Sequence, residues 1–387
     1  MRVVIAPDRF AGTLTAGEAA ESIAAGWRAG APHDELVVVP MSDGGSGFLD
    51  VLAPAVGGET LAVTVADPLG RPVPAAVLVA DRGGVRTAYL EAGQACGPQL
   101  LAAVERDPTR TTSAGVGELL LASLEARARC VVVGVGPVVT NDAGAGLLSA
   151  LGLGRPDRLQ GGGLALADLT ADDLSGLDEV LDRFRGIELV LAAAGDLPLL
   201  GLQGTSAVHA EGRGATPEQG QALEFALGHF ADLVRRLRPE RADLLTGRPQ
   251  RVDKEPGAGA GGGLGYALLL LGGRRVRGVD VVLDAVGLRD AVRRADLVVT
   301  GEGTYDWQSL SDKVAAGVAQ VALESAVPSI VLAGQVSLGR REAMAAGLSG
   351  TYAVATRPEQ VAAALADPAG TLRARAASVA ATWSPAG

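Results

Sequence analysis

Val3-Val4-Ile5-Ala6-Pro7-Asp8-Arg9-Phe10-Ala11-Gly12-Thr13-Leu14-Thr15, read with the residues that follow it to Ala29, decides the fold class. Val3 to Ala6 is apolar at consecutive positions. An extended segment of that kind buries both faces, which is how a strand inside a parallel sheet reads. A loop with Pro and Gly comes next. Thr15 then stands three residues before Glu18, the spacing of a capping box, and Ala19, Ala20, Ile23, Ala24 and Trp27 share one helical face. Strand, loop and helix in that order open an α/β layered domain.

Working outward, the same unit recurs. Leu36 to Val39, Cys130 to Val133, Leu189 to Ala192, Leu297 to Val299 and Ser329 to Leu332 are short apolar runs, each followed by a turn and helical periodicity. Leu61 to Val65 and Ala75 to Val79 differ, because they flank Asp67-Pro68-Leu69-Gly70-Arg71-Pro72 and read as a strand pair outside the parallel pattern. A second domain with a mixed sheet is expected to begin there. The chain has 387 residues, enough for two domains, with 48% hydrophobic, 3% aromatic and 54 glycines, so the cores are expected to be Val, Leu, Ile and Ala.

Charge and cysteine usage exclude several classes. With 44 acidic against 34 basic residues the net charge is −10, which argues against a nucleic-acid partner, and Arg235, Arg236, Arg238 and Arg241 read as a charged helix end. Cys96 and Cys130 are the two cysteines, and neither a disulfide framework nor a zinc site is supported. The opening apolar run reaches Asp8 too soon for a signal peptide, and no run approaches the length of a membrane span. A soluble, cytoplasmic protein without a membrane partner is expected. The Ala-rich tail with Pro385 is expected to fray.

Open α/β sheets bind ligands at the carboxyl ends of their strands. Four turns there pair carboxylate with glycine: Asp8 to Gly12, Asp43-Gly44-Gly45-Ser46-Gly47, Gly134 to Gly144 with Thr140, Asn141 and Asp142, and Thr300-Gly301-Glu302-Gly303-Thr304-Tyr305-Asp306. Each alone has an ordinary reading as an N-cap or Asx turn. Together, at one sheet edge, such carboxylates repel unless a cation sits among them, and glycines admit phosphates to bare backbone. A magnesium-nucleotide site is the simplest functional reading, with metal or small-anion binding next to it. The stretch Gly257 to Gly265, with Gly257, Gly259, Gly261, Gly262 and Gly263, is either a flexible linker or an anion site at the start of helix Tyr266 to Leu271. Neither a GxxxxGK[ST] loop nor a GxGxxG turn after the first strand is present.

The opening Ala6-Pro7-Asp8-Arg9-Phe10-Ala11-Gly12-Thr13-Leu14, Ser42-Asp43-Gly44-Gly45, Thr111 to Glu118, Thr140 to Gly146, Pro198-Leu199-Leu200-Gly201, Pro256 to Gly265, and Thr300 to Ser309 resemble the bacterial glycerate kinase type-1 family, in the family's order. The resemblance implies an ATP- and Mg2+-dependent kinase converting D-glycerate to 2-phosphoglycerate. It also implies a Rossmann-like parallel-sheet domain from both chain ends (1–60 and 285–387), an inserted α/β domain (61–284), and substrate in a cleft between them. Several motif positions depart from the family. Asp-Ser-Phe-Lys-Gly is Asp8-Arg9-Phe10-Ala11-Gly12, Asp-Gly-Gly-Glu-Gly-Thr is Asp43 to Phe48, Gln-Lys-Gly-Ala is Gly212-Arg213-Gly214-Ala215, and a Gly-Lys pair is Asp312-Lys313. A relative acting on another small hydroxy acid, and one that binds such an acid without catalysis, therefore stand beside the kinase reading. Within the kinase reading, Asp142 or Asp43 orients and deprotonates the substrate hydroxyl and Asp8 completes the acidic set. Arg9 and Lys313 neutralise developing charge, with Arg213 as a further positive group. Glu302 and Asp306 hold Mg2+, and the glycines of 257–265 with Thr140 and Asn141 contact phosphate or carboxylate. The partner is a small molecule, and a homodimer is left open.

Overall fold

Val3, Val4 and Ile5 are completely buried, and the strand they form has a parallel neighbour on each side. The computed structural model describes residues 1–238 and 251–384. In chain order its strands are β1 (Arg2–Ile5), β2 (Glu35–Val38), β3 (Glu59–Ala66), β4 (Pro72–Arg82), β5 (Val85–Glu91), β6 (Cys130–Val135), β7 (Glu188–Ala193), β8 (Arg274–Arg277), β9 (Leu297–Tyr305), β10 (Ser329–Val336) and β11 (Gly350–Ala353). They make a five-stranded sheet of order β11-β10-β9-β1-β2 and a six-stranded sheet of order β3-β4-β5-β6-β7-β8. The first sheet is parallel throughout. The second is mixed, since β3, β4 and β5 pair antiparallel while β5, β6 and β7 pair parallel. The α/β class with one parallel and one mixed sheet is the one the sequence predicts.

The chain divides into two compact units. Met1–Asp43, Asp50–Val56 and Arg277–Gly387 form the first, and Gly44–Leu49 and Gly57–Val276 form the second. In the first, helix Ala16–Gly30 starts at the predicted capping box: Glu18 N donates to Thr15 Oγ1 at 3.2 Å and Thr15 N donates to Glu18 Oε2 at 2.8 Å. Ile23 and Trp27 carry this helix into the core of the sheet with Ile5, Val299, Ile330 and Leu332. The core of the second unit is built on Val131, Val133, Leu189 and Leu191, with Leu147, Phe230 and Leu264 from helices.

Two expectations are corrected here. The Ala-rich tail does not fray: helix Pro368–Trp383 buries Leu372, Ala376, Val379 and Ala380. It lies so close to helix Ala16–Gly30 that a Cβ on Gly26 would stand 2.2 Å from the Arg373 carbonyl oxygen, and one on Gly30 2.2 Å from that of Ala377. Small residues on both helices permit that approach, which composition alone conceals. Pro385 lies outside the described residues, as does Arg241 of the basic run; Arg235 pairs with Asp232, and Arg238 with Asp178. The second correction concerns Thr300 to Tyr305, which is strand and not turn, because β9 keeps pairing with β10 as far as Tyr305↔Val336 after β1 has ended. Residues beyond β1 run alongside the overhang, where Asp8 N donates to the Gly301 carbonyl at 2.8 Å.

Candidate active site

The first unit gathers Asp8, Asp43, Glu302 and Lys313 at the carboxyl end of its sheet. Asp8 follows β1, Asp43 lies beyond β2, Glu302 sits on the overhanging part of β9, and Lys313 is the N-cap of helix Val314–Glu324. Lys313 Nζ stands 2.6 Å from Asp43 Oδ2. Asp8 Oδ1 accepts the Arg9 backbone N–H at 2.7 Å. Burial, then the Asp43 charge and more weakly that of Glu302, push the Asp8 carboxyl up to about 8 against the opposing pull of the Arg9 N–H and Lys313. Glu302 rises to about 7, chiefly by burial and also through Asp306 and Asp43, while Ser309 and Lys313 oppose the rise. Burial works against the Lys313 ammonium, but Asp43, Asp8 and Glu302 outweigh it and hold its pKa above the ordinary value. One ammonium does not neutralise three carboxyl groups, so near neutral pH the cluster retains protons.

A divalent cation fits that imbalance. Glu302 Oε1 is buried with no hydrogen-bond partner. No three His, Cys, Asp or Glu side chains among the described residues form a protein-only metal cage. Mg2+ does not need one, since it usually keeps several waters and takes one or two carboxylates together with substrate phosphates. Asp306 has a structural duty as well: its Oδ1 accepts Gln308 N at 2.8 Å and caps the short turn Trp307–Leu310.

The second unit holds Thr140, Asn141 and Asp142, so the four acidic turns do not share one sheet edge. Those after β1 and β2 and the one on β9 belong to the parallel sheet, while Asp142 follows β6 of the mixed sheet. Asp142 is fully buried. Its Oδ2 accepts from Ser113 N and Ser113 Oγ, both at 2.8 Å, and from Gly146 N at 3.3 Å, while Oδ1 accepts Gly144 N at 3.1 Å. Burial raises its pKa and those hydrogen bonds pull it down. It ties the loop to the starts of helices Ala114–Glu125 and Ala145–Ala150.

The glycine-rich stretch is not a linker. Gly261, Gly262 and Gly263 have φ of 59°, 70° and 94°, a left-handed turn within Ala260–Leu270. Added Cβ atoms would lie 1.9 Å from the Thr140 carbonyl at Gly262 and 2.4 Å from Ala143 Cα at Gly263. Close backbone packing thus accounts for these glycines without a ligand, as it does for Gly259, where a Cβ would stand 2.2 Å from the Pro198 carbonyl. At Gly257 (φ +84°) the nearest atom to a Cβ is Arg275 Cγ, at 2.9 Å. The Thr140 hydroxyl is buried with no hydrogen-bond partner. Asn141 is fully buried and engaged on both sides: Nδ2 donates to Ser206 Oγ at 2.9 Å, and Oδ1 accepts Arg213 Nη1 at 2.9 Å.

With this geometry in view, comparison with known proteins decides the family. Residues 3–384 match the model of the glycerate kinase family. The chain belongs to the glycerate kinase family. Members of this family are phosphotransferases with an alcohol acceptor and use ATP. The chain is 39% identical to a glycerate kinase of Bacillus subtilis, covering 92% of this chain and 90% of that one. It is 36% identical to a glycerate 2-kinase of Escherichia coli K12, over 87% and 86%. A crystal structure described as a glycerate kinase 2 from Salmonella typhimurium LT2 superposes with a TM-score of 0.76 at 35% identity, covering 99% of this chain and 98% of that one.

Against the glycerate kinase motifs, three departures have local explanations. Phe48, in place of a threonine, is fully buried and packs edge-on to Tyr89 with ring centroids 6.5 Å apart. Asp312, in place of a glycine, has φ +53°, a conformation that glycine enters freely and aspartate tolerates. Where a glutamate is replaced by Ser46, another carboxylate serves the same loop: both Glu91 oxygens accept Gly47 N at 3.2 Å. Glu91 is a site candidate that the sequence reading passes over. Its signal is Ala88-Tyr89-Leu90-Glu91-Ala92-Gly93, the same strand-end pairing of carboxylate and glycine, hidden because β5 is reached through a hairpin. The Arg9 backbone N–H donates to Asp8 Oδ1 in the turn.

Proposed function

We propose that the chain transfers the γ-phosphoryl group of ATP to D-glycerate, giving 2-phosphoglycerate, in the cytoplasm and with Mg2+. The observation that carries this reading is the Lys313–Asp43 pair inside a carboxylate cluster with an orphaned Glu302 oxygen. Asp43 orients the acceptor hydroxyl and takes its proton. Asp142 is the weaker candidate, because its oxygens already hold four hydrogen bonds in a sealed site. Lys313 faces the charge that builds on the transferring group, with Arg9 as the nearest further cation in the sequence motif. Glu302 and Asp306 would hold Mg2+, which when bound neutralises phosphate charge and aligns the phosphates. The glycine turn with Thr140 and Asn141 supports the loop beside which phosphate or carboxylate binds, and the two compact units are the two domains of the kinase. Phosphoryl transfer depends on positioning and charge neutralisation, which is what these residues offer.

The test is ADP release by purified protein with ATP, Mg2+ and a panel of hydroxy acids led by D-glycerate. Preferential turnover of D-glycerate is expected. Turnover of a different hydroxy acid would reassign the substrate, and none on any acid would leave binding without catalysis.

A further inference from the structure

Arg213 exposes only 8% of its surface. Among the described residues the hydrogen bonds of its guanidinium all run through Nη1, to Asn141 Oδ1 at 2.9 Å, Thr205 Oγ1 at 3.1 Å and the Thr205 carbonyl at 3.4 Å. Every one of those acceptors is neutral. No carboxylate pairs with this guanidinium among the described residues, whereas other arginines of the second unit, Arg71, Arg251 and Arg275, each have an acidic partner. Burial alone lowers its pKa, to about 10, so it stays charged at neutral pH. A buried, unneutralised charge is unfavourable for folding and persists where something outside the chain completes it.

The backbone beside Arg213 is closely packed. Gly214, with φ +107°, lets the chain pass so close to Arg106 that a Cβ there would stand 2.2 Å from the Arg106 carbonyl oxygen. Arg106 Nε is itself buried with no hydrogen-bond partner. Asn141, which holds the Arg213 fork in place, is fixed in turn by Ser206. The guanidinium is therefore preset by neutral groups, and its Nε and Nη2 edge has no protein acceptor among the described residues.

We propose that Arg213 is an oxyanion-binding residue of the second unit, taking a carboxylate or a phosphate group on its Nε and Nη2 edge. The carboxylate is the favoured source, since a planar fork matches it with two parallel hydrogen bonds. This rests on the proposed kinase reading only for which oxyanion is bound, not for the site.

Thermal shift on the full chain separates the outcomes. D-glycerate, glycerol, ATP and inorganic phosphate are each tested on wild type, Arg213→Met and Arg213→Lys. Wild type is expected to be stabilised by D-glycerate and not by glycerol. Arg213→Met, whose own melting temperature without ligand is the reference for its shifts, is expected to lose the glycerate shift. Arg213→Lys, which keeps the charge but not the fork, is expected to lose most of that shift. An Arg213-dependent shift with ATP or phosphate, and none with glycerate, would uphold the oxyanion site while refuting glycerate as its ligand. A shift by any of these anions that is unchanged in Arg213→Lys and in a folded Arg213→Met overturns the proposal. So does the absence of an Arg213-dependent shift with any of them.

Discussion

Lys313 Nζ and Asp43 Oδ2 stand 2.6 Å apart although 270 residues separate them in sequence. One comes from the turn after β2 and the other from the cap of a helix that follows β9, so the pair exists only when the parallel sheet has closed. Replacing the ammonium by Lys313→Met leaves Asp43, Asp8 and Glu302 facing one another. Loss of one preorganised charged donor costs about a hundred- to a thousand-fold in kcat. Steady-state kinetics with saturating ATP and D-glycerate read this directly, and the Asp43→Asn, Lys313→Met double variant should fall short of the product of the two single losses.

Asp8 makes the stability of the unliganded protein depend on pH. Its folded pKa, about 8, lies above the usual carboxyl value, so the folded state binds the proton more tightly than the unfolded state does. The stabilising contribution is present in acid below the ordinary carboxyl pKa and is lost as pH rises through about 8. Urea unfolding between pH 5 and 9 should show wild-type stability falling toward alkaline pH, and Asp8→Asn should flatten that fall.

Asp142 gives the opposite kind of result. Asp142→Ala leaves Ser113, Gly144 and Gly146 donors buried without an acceptor, at a cost of about 3 kcal/mol or more in unfolding free energy. Equilibrium urea titration checks this. A stability unchanged within error would mean that Asp142 is not the staple its contacts describe.

The helix crossing at Gly26 offers a prediction remote from the site. Gly26→Val places side-chain atoms against the Arg373 carbonyl, and overpacking of this sort costs about 1–3 kcal/mol. The melting temperature should drop while the KM for D-glycerate stays the same.

Much of this was readable along the chain because it is local. The Thr15 capping box, the twice-buried strands around Val4 and Val131, and the Asp67 to Pro72 turn each depend on neighbours within a few residues. What the sequence hid depends on distant partners. Gly26 and Gly30 acquire their meaning from residues 373 to 377, and Gly262 and Gly263 theirs from Thr140 and Ala143. Glu302 is strand rather than turn because β10 pairs beyond the end of β1. Asp142 resembles Asp8 in its turn sequence, yet the two carboxylates lie on different sheets with different partners.

The central claim is that the Asp43, Lys313 and Glu302 cluster supports phosphoryl transfer to the 2-hydroxyl of D-glycerate. Phosphorus NMR of the reaction of wild-type protein with ATP, Mg2+ and D-glycerate tests it most directly. The account predicts the 2-phosphoglycerate resonance growing with that of ADP, and its loss in Asp43→Asn. Phosphate appearing on the 3-hydroxyl, or an Asp43→Asn variant that forms product at the wild-type rate, would contradict it.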